Sequence, residues 1–369
     1  MTTAPFEIFL VATPGLEAPL CEEARAAGFA DAKVVDGGVR FDGGWPDVWR
    51  ANLALRGATR ILARIASFRA MHLAQLDKRA RKVNWAEFLR PDVSVQVEAA
   101  CKRSRIYHAG AAAQRVATAI AETLGAPIAE EAEVRVMVRI EDDLVTISID
   151  TTGASLHKRG FKEAVSKAPM RETMAAMFLR QCGFSGTEPV LDPMCGSGTF
   201  PIEAAEIALG LLPGRERGFA FQHLPSFDAK AWDKTKGVAK VQPTMQRFYG
   251  SDRDAGAIRM AEENAVRAGV AAATQFSQGN IEDLTPPEGP PGLVIVNPPY
   301  GSRIGSKGPL ISVHRTLGTV LKTRFAGWRV AIITADKQLA QATGLSFEPM
   351  LPPVLHGGIR VALYRTGVL

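Results

Sequence analysis

Two glycines stand in a polar turn that directly follows an apolar run. The run is Val190-Leu191, and the turn reads Asp192-Pro193-Met194-Cys195-Gly196-Ser197-Gly198-Thr199. Such a run predicts a buried strand, and open α/β sheets bind ligands at the carboxyl ends of their strands. Glycine lets the backbone turn sharply and approach a ligand without a Cβ in the way. We interpret residues 192–199 as a cofactor-binding loop that leads into a helix predicted over 199–212.

Pro201 stands where a dinucleotide-binding fingerprint has its third glycine, which argues against a nicotinamide or flavin enzyme. The next predicted strand, 247–251, is followed by Asp252 and Arg253. A carboxylate at this place suits two vicinal ribose hydroxyls, so the pattern indicates an adenosine-bearing cofactor. We expect Asp254 to cap the following helix and Asp252 to face the ligand.

The loop after the third predicted strand, 273–277, contains Gly279-Asn280-Ile281. The Asn280 amide suits the edge of an adenine ring, and Ile281 suits its face. A plain surface turn explains these residues equally well.

The sharper signal is Asn297-Pro298-Pro299-Tyr300, which follows the apolar run 293–296. Proline has no N–H group, so the backbone here presents carbonyl acceptors, and the Asn297 side chain adds another. Two acceptors and an adjacent ring suit a conjugated NH₂ group: the acceptors take both N–H bonds and Tyr300 stacks on the plane. Plain strand punctuation by an Asn-Pro turn is the weaker interpretation.

Holding both hydrogens turns the nitrogen lone pair toward an electrophile, and we expect that electrophile to be a sulfonium methyl. This chemistry needs no covalent adduct with the protein. Cys195 lies in the cofactor loop rather than in the substrate loop, so we interpret it as a packing residue and not as a nucleophile.

Composition excludes several classes of protein. The 369 residues are 46% hydrophobic, which indicates a globular chain of about two or three domains. The four scattered cysteines form no Cys-x-x-Cys pair, so neither a disulfide framework nor a metal is expected. No signal peptide or membrane span is predicted, and we expect a cytoplasmic protein without a membrane partner.

The net charge is only +6, but residues 56–115 hold thirteen Lys/Arg and four Asp/Glu. This concentration favours a surface that faces a polyanion, although a solvated helix face has the same composition. The residues predicted to contact RNA phosphates are Lys78, Arg79, Arg81, Lys82, Lys102, Arg103 and Arg105.

The spacing of apolar residues predicts two kinds of architecture, an α+β part and a doubly wound part. Residues 5–50 form a small β-α-β pattern, followed by a helix over 45–55. Strands at 61–68 and 93–99, helices at 73–88 and 109–124 and a hairpin over 134–149 indicate an α+β module. Beyond a polar linker at 151–167, strand and helix alternate as in a doubly wound sheet. Its later strands are expected at 292–296, 328–334 and 358–365, with a further one possible near 345–351.

In the loop 192–200 and in Asn297-Pro298-Pro299-Tyr300-Gly301, the chain resembles class I S-adenosylmethionine (SAM)-dependent amino-group methyltransferases. The lead-in stretches 156–161 and 168–173 are similar to the subgroup with an N-terminal THUMP RNA-binding domain. That subgroup includes the guanine-N2 methyltransferases of large-subunit ribosomal RNA and related transfer RNA enzymes. The resemblance covers residues 150–369 well and 50–150 more loosely.

The resemblance implies a cofactor site formed by residues 192–199, Asp252, Asn280 and Ile281, with Asn297 and Tyr300 at the target amine. We also expect Arg253 and Asn297 at the cofactor, and Pro298 and Pro299 in the catalytic loop. The family often has aspartate at position 280. Asparagine keeps an acceptor there but removes a charge. We expect a Rossmann-like methyltransferase domain over 153–369, preceded by a ferredoxin-like unit over 1–55 and a THUMP-like domain over 56–152.

The expected reaction is methylation of guanine N2 in RNA, most plausibly 23S ribosomal RNA, with transfer RNA as the alternative. The Asn-Pro-Pro-Tyr loop also occurs in DNA adenine-N6 and protein glutamine methyltransferases, because all these substrates present a conjugated NH₂. A non-catalytic RNA-binding protein on the same fold is a further alternative. The sequence leaves open the target nucleotide, the number of methyl groups, the oligomeric state and the role of the insertion 211–243.

Overall fold

The computed structural model describes residues 5–163, 170–237, 241–299 and 307–369. The chain divides into two compact units. The first contains Met1–Ala12, Leu20–Leu156 and Gly214–Val238, and the second contains Thr13–Pro19, His157–Pro213 and Ala239–Leu369.

The first unit is built on one mixed sheet, whose described strands run in the order β2-β3-β1-β4-β7-β6-β5. β1 pairs with both β3 and β4, so the small N-terminal β-α-β pattern and the larger α+β module share this sheet. The strands are β1 (Phe6–Val11), β2 (Lys33–Val35), β3 (Gly38–Gly43), β4 (Arg60–Arg69), β5 (Val95–Lys102), β6 (Val134–Glu141) and β7 (Leu144–Asp150). The helices before the second sheet are α1 (Glu17–Ala26), α2 (Trp45–Ala54), α3 (Leu73–Ala80) and α4 (Ala109–Leu124).

The β6–β7 hairpin shows why the sequence folds in this way. Alternate β6 residues are buried, and Asp142 and Asp143 adopt positive φ angles of 51° and 61° in the turn. Two consecutive residues with positive φ form a tight turn whose twist matches that of the flanking strands. The predicted hairpin is therefore confirmed.

Most of the insertion 211–243 belongs to the first unit. Its helix α7 (Ala229–Gly237) carries Trp232, whose ring centroid lies 5.1 Å from that of Phe221. Phe221 in turn lies 6.2 Å from Trp49 on α2. Because these rings are buried, the segment acts as a packing layer of the first unit.

The second unit contains the doubly wound sheet, with described strands in the order β10-β9-β8-β11-β12-β14-β13. The neighbours from β10 to β12 pair in parallel, and β14 runs antiparallel to β12. The strands are β8 (Val190–Asp192), β9 (Phe248–Asp252), β10 (Thr274–Gln278), β11 (Leu293–Val296), β12 (Arg329–Thr334), β13 (Val354–His356) and β14 (Ile359–Val368). The helices are α5 (Glu172–Gln181), α6 (Thr199–Ala208), α8 (Ala255–Arg267), α9 (Lys307–Arg324) and α10 (Lys337–Ala342).

Two predicted helices are shorter than expected. The helix predicted over 73–88 ends at Ala80, where the Trp85 indole N–H donates to the Ala80 carbonyl at 2.9 Å. The helix predicted over 199–212 ends at Ala208, because Gly210 adopts a φ of 66° and Leu211 N–H donates back to the Glu206 carbonyl. This is the glycine-terminated helix end of Schellman type.

The possible strand near 345–351 is wrong. Pro349, Pro352 and Pro353 have no N–H to contribute to a strand ladder, and the next strand is β13 at Val354–His356. Conversely, the three-residue strand β2 was not predicted, because Lys33–Val35 is too short to show alternation.

The aromatic layer on α2 generates a stability prediction. Replacing Trp232 by alanine should destabilise the first unit by about 3 kcal/mol, since it removes a buried ring from a close-packed cluster. Urea unfolding followed by circular dichroism measures the loss. Tyr107→Ala is the control, because Tyr107 is 84% exposed and its removal should change the midpoint little. Equal midpoints for the two variants would contradict the packing role of the insertion.

Candidate cofactor and substrate site

The predicted site residues of the second unit follow the carboxyl ends of neighbouring strands. β8 lies between β9 and β11, with Asp192 level with Gly250 and Leu191 level with Val294. The chain leaves β8 toward β9 and β10 and then returns to β11 on the other side. The strand order thus reverses between β8 and β11, which is where doubly wound sheets bind ligands.

Asp252 fastens the cofactor loop to the neighbouring strand. Its Oδ2 accepts a hydrogen bond from Gly196 N–H at 3.0 Å, and its Oδ1 accepts one from Asp254 N–H at 3.0 Å. Asp254 itself caps α8 by accepting from Gly256 N–H at 2.7 Å. The predicted capping role of Asp254 is therefore present. Asp252 is half-buried at the loop, and its contact with a ligand stays a prediction.

Asp192 is a second carboxyl group at this edge, and only 3% of it is exposed. It accepts a hydrogen bond from Met194 N–H at 3.1 Å. Burial raises the pKa of Asp192 to about 8, and the charge of Asp252 adds to the effect. A cation placed beside this group would favour its ionised form.

The conformation of the cofactor loop, residues 192–199, depends on two glycines. Gly196 and Gly198 have φ angles of 52° and 82°, and Gly198 precedes the first residue of α6. A Cβ on Gly198 would lie 3.0 Å from the Ala261 Cβ. The loop therefore requires glycine for both its conformation and its close packing against α8.

Asn264 on α8 also forms a hydrogen bond to the cofactor loop, and the sequence did not predict this contact. Its side chain is fully buried on α8, and its Nδ2 donates to the Ser197 carbonyl at 3.1 Å. The available signal was a polar residue in an otherwise apolar stripe of α8, with Ala257, Ile258 and Ala261 on the same buried face.

Cys195 is buried beneath the loop, as the packing interpretation expects. A Cβ on Gly250 would lie 2.9 Å from its Sγ, so the thiol fills the space between β8 and β9. Burial raises the pKa of Cys195 far above its ordinary value, so the sulfur stays protonated. A protonated, enclosed thiol is a poor nucleophile.

The loop after β10 places Asn280 and Ile281 differently. Asn280 is exposed and precedes the short 3₁₀ turn Ile281–Asp283. Ile281 is half-buried and packs, with Met194, against the apolar core of this unit. Arg253 is exposed, and its carbonyl accepts from Gln278 Nε2 at 3.1 Å. Met194 and Ile281 therefore give this edge of the sheet a partly buried apolar surface, and their contact with an adenine ring stays a prediction.

Asn297 directly follows β11. Its Oδ1 is buried and accepts no hydrogen bond from any residue that the structure describes. Pro298 is buried and Pro299 is half-buried. Tyr300 lies outside the described residues, so its predicted stacking role stays a prediction. A buried acceptor without a donor is costly unless a ligand supplies one.

A buried salt bridge connects the lead-in segment to the cofactor loop, and it was also missed. Lys162 Nζ lies 2.9 Å from Glu172 Oε1 and donates to Thr199 Oγ1 at 2.8 Å. Thr199 begins α6, directly after the glycines. The resemblance pointed to stretches on both sides of Lys162 but not to this residue.

Comparison with known proteins agrees with this geometry. The model of the family "UPF0020: RMKL-like, methyltransferase domain" matches residues 159–350, which is more than half of the chain. A ferredoxin-like domain model of the RlmL type matches residues 7–62, and a THUMP model matches residues 70–150. The chain belongs to the THUMP-containing, RlmL-like SAM-dependent RNA methyltransferases. The predicted fold class and cofactor are confirmed.

Individual relatives support this membership. The candidate RNA methyltransferase slr0064 of Synechocystis sp. is 32% identical over 99% of this chain and 97% of its own length. "Ribosomal RNA large subunit methyltransferase K/L" of Vibrio campbellii is 32% identical over 89% of this chain, which spans 49% of that longer protein. The candidate methyltransferase SMU.472, solved in complex with SAH, has a TM-score of 0.88 at 26% identity, covering 100% of this chain and 99% of its own.

The site of this RlmL-like methyltransferase fits SAM. SAM carries a sulfonium and an ammonium group, and the loop offers two carboxyl groups, of which Asp192 is buried. The glycine loop and the apolar pair Met194 and Ile281 suit the remaining parts of the cofactor. When bound, SAM supplies an electrophilic methyl group.

In the THUMP domain, the predicted RNA-contacting cations fall into two groups. Arg81 pairs with Asp77 at 2.8 Å and Glu122 at 2.5 Å. These contacts lower the pKa of Asp77 and raise that of Arg81. Lys102 and Arg103 pair with Glu141, Arg103 also pairs with Asp142, and Arg105 lies 3.9 Å from Asp143.

By contrast, no ion pair involves Lys78, Arg79 or Lys82 within the described parts of the chain, and all three are exposed. Of the seven predicted cations, these three offer unneutralised charge. None of the described helices is long and apolar enough to cross a bilayer, and the described residues contain no cluster of three potential metal ligands.

The glycine loop generates a binding prediction. Gly198→Ala should weaken SAH binding at least about tenfold, because the new Cβ meets Ala261 and the loop must shift. Gly269→Ala is the matched control in the same unit: its φ is 73°, but nothing lies within 4 Å of the new Cβ. Isothermal titration calorimetry with SAH separates the two. An unchanged affinity in Gly198→Ala would contradict the close-approach role of this glycine.

Proposed function

We propose that this RNA methyltransferase transfers a methyl group from SAM to the exocyclic N2 amine of a guanine in 23S ribosomal RNA. The observation that carries the proposal is Asn297 Oδ1, a buried acceptor without a donor among the described residues, next to the strand that bears the cofactor loop. The ribosomal substrate rests on the Vibrio campbellii relative and on the chain's THUMP domain.

In this proposal Asn297 orients the amine. Its Oδ1 accepts one N–H of the guanine NH₂, and the Pro298 carbonyl accepts the other. These two hydrogen bonds reduce the conjugation of the amine nitrogen with the guanine ring. They thereby direct the nitrogen lone pair at the methyl carbon. One bond forms between N2 and the methyl carbon while the bond from that carbon to sulfur breaks. The proton of the alkylated amine leaves to solvent.

The target base must leave its stack to reach the strand ends, since its exocyclic amine is otherwise held in the RNA helix. Pro298 and Pro299 give the receiving loop a restricted backbone. Tyr300 is the residue that we propose to stack on the extruded base.

Asn297→Ala should lower kcat by roughly 100- to 1000-fold, which is the usual loss when a preorganised polar partner of the reacting group is removed. The affinity for SAH should stay nearly unchanged, because the acceptor serves the amine. Single-turnover kinetics and calorimetry measure the two quantities. Lost SAH binding with normal turnover would contradict this role.

The substrate is tested by transfer of radiolabelled methyl from SAM to ribosomal RNA, transfer RNA, DNA and protein fractions, with the RNA digested to nucleosides. We expect N2-methylguanosine in the 23S fraction. Label in transfer RNA would support the alternative guanine-N2 substrate. Label in DNA or glutamine would contradict an RNA target, and no label despite SAM binding would support the non-catalytic alternative.

A further inference from the structure

The first unit contains a cleft of about 480 Å³ that the methyl-transfer reaction does not use. It is lined by the start of β1, the second half of β4, the end of α3 and the segment that follows α3. The side chains that matter for its chemistry are Phe6, Phe68, Arg79, Lys82, Asn84 and Phe88. Its volume falls in the range of small-ligand sites, which is about 300–1000 Å³.

Two cations and one carboxylate line this cleft. Arg79 and Lys82 are exposed, and neither forms an ion pair with a described residue. Their neighbour Arg81, which does not line the cleft, is held by Asp77 and Glu122. Of the three predicted RNA-contacting cations that form no ion pair with a described residue, Arg79 and Lys82 border the cavity and can meet an anionic ligand there, whereas Lys78 does not border it.

Aromatic surface lies beside this charge. Phe6 and Phe68 are half-buried, so each ring is partly accessible, whereas Phe88 is buried at the base. The Arg79 guanidinium carbon is 5.9 Å from the Phe68 ring centroid. A planar group that enters here meets a ring face and a cation together. The Glu87 carboxylate also lines the cleft, with Asn84 Nδ2 at 3.4 Å from its Oε2.

We propose that this cleft binds one unpaired nucleotide of the RNA substrate. The base stacks on Phe68, its polar edge meets Asn84 and Glu87, and the flanking phosphates contact Arg79 and Lys82. Base–aromatic stacking requires a base whose face is free, so paired RNA is excluded from the cleft. The inference rests on the proposed function only in taking RNA as the ligand.

The test measures binding of a fluorescein-labelled oligoadenylate and of a blunt RNA duplex of equal length to the full chain, by anisotropy over a range of salt concentrations. Phe68→Leu should weaken oligoadenylate binding about 5- to 100-fold, the usual loss for one stacked base. Arg79→Gln should weaken it and flatten the salt dependence by about 0.7 in log–log slope. Arg115→Gln is the control, since Arg115 is an exposed cation on α4 of the same unit, does not line the cleft and is not among the predicted RNA contacts; its effect should be clearly smaller.

A second measurement does not depend on the folding of a core variant. Photo-crosslinking the unmodified chain to an oligonucleotide that contains one unpaired 4-thiouridine should give adducts in the tryptic peptides 65–69 or 83–102, the latter at a residue between 83 and 88; trypsin does not cleave between Arg90 and Pro91. Adducts only elsewhere, or equal duplex and single-strand binding with no loss in Phe68→Leu and Arg79→Gln, would overturn the inference. RNA binding at the cleft without methyl transfer would contradict the proposed function alone. N2-methylguanosine formation with no adduct at the cleft would contradict this inference alone.

Discussion

The hydrogen bond between the Asp252 carboxylate and the Gly196 N–H joins the two loops from which the site is built. Asp252 closes β9, and Gly196 belongs to the turn that follows β8. The same carboxylate accepts from Asp254 N–H, which places the capping residue of α8. Through one side chain, two strand ends and the start of a helix are fixed relative to each other. The same loop also accepts hydrogen bonds from Asn264, at the Ser197 carbonyl, and from Lys162, at the Thr199 hydroxyl.

Close packing restricts which residue types this edge can hold. Gly250 on β9 is so enclosed that a Cβ there would lie 2.7 Å from the ring of Phe276 on β10 and 2.9 Å from the Cys195 sulfur in the loop after β8. Interiors packed at this density transmit small displacements instead of absorbing them. A shift of the loop would therefore move Asp192, whose buried carboxyl group is the acidic feature facing the cofactor in our account. The cost of burying that carboxyl group is offset when a cation binds beside it.

Much of the methyltransferase sheet could be predicted from the sequence because its strands are short, apolar and ended by special turns. β11 is buried at all four residues, and the Asn297-Pro298-Pro299 turn marks its end. Helix α4 was predicted with both ends correct, because Gly125 terminates it with a φ of 82°. These signals are local. The site residues predicted at strand ends follow from the same local pattern and from the order of strands in a doubly wound sheet.

What the sequence could not predict depends on distant partners. Arg81 pairs with Glu122, which is 41 positions away in the chain, so the basic sequence around Arg81 overstates how available this cation is to RNA. Helix α3 ends early, at Ala80, whose carbonyl accepts a hydrogen bond from the Trp85 indole. The sequence alone does not show that these two residues are partners. The insertion joins the first unit through rings on α2, although it interrupts the methyltransferase sequence. Asn264 and Lys162 contact the loop from segments that carry no motif of their own.

We propose for the cofactor site that Asp192 receives the positive charge of SAM, and proton release on binding tests this central part of the account most directly. The pKa of Asp192 is about 8 in the protein alone, so the group is largely protonated at pH 7. A bound cation lowers that pKa. Calorimetry at pH 7 in two buffers of different ionisation enthalpy should therefore detect release of roughly one proton per SAM. Asp192→Asn should abolish the release. A binding enthalpy independent of the buffer, or proton release that persists in Asp192→Asn, would contradict the account.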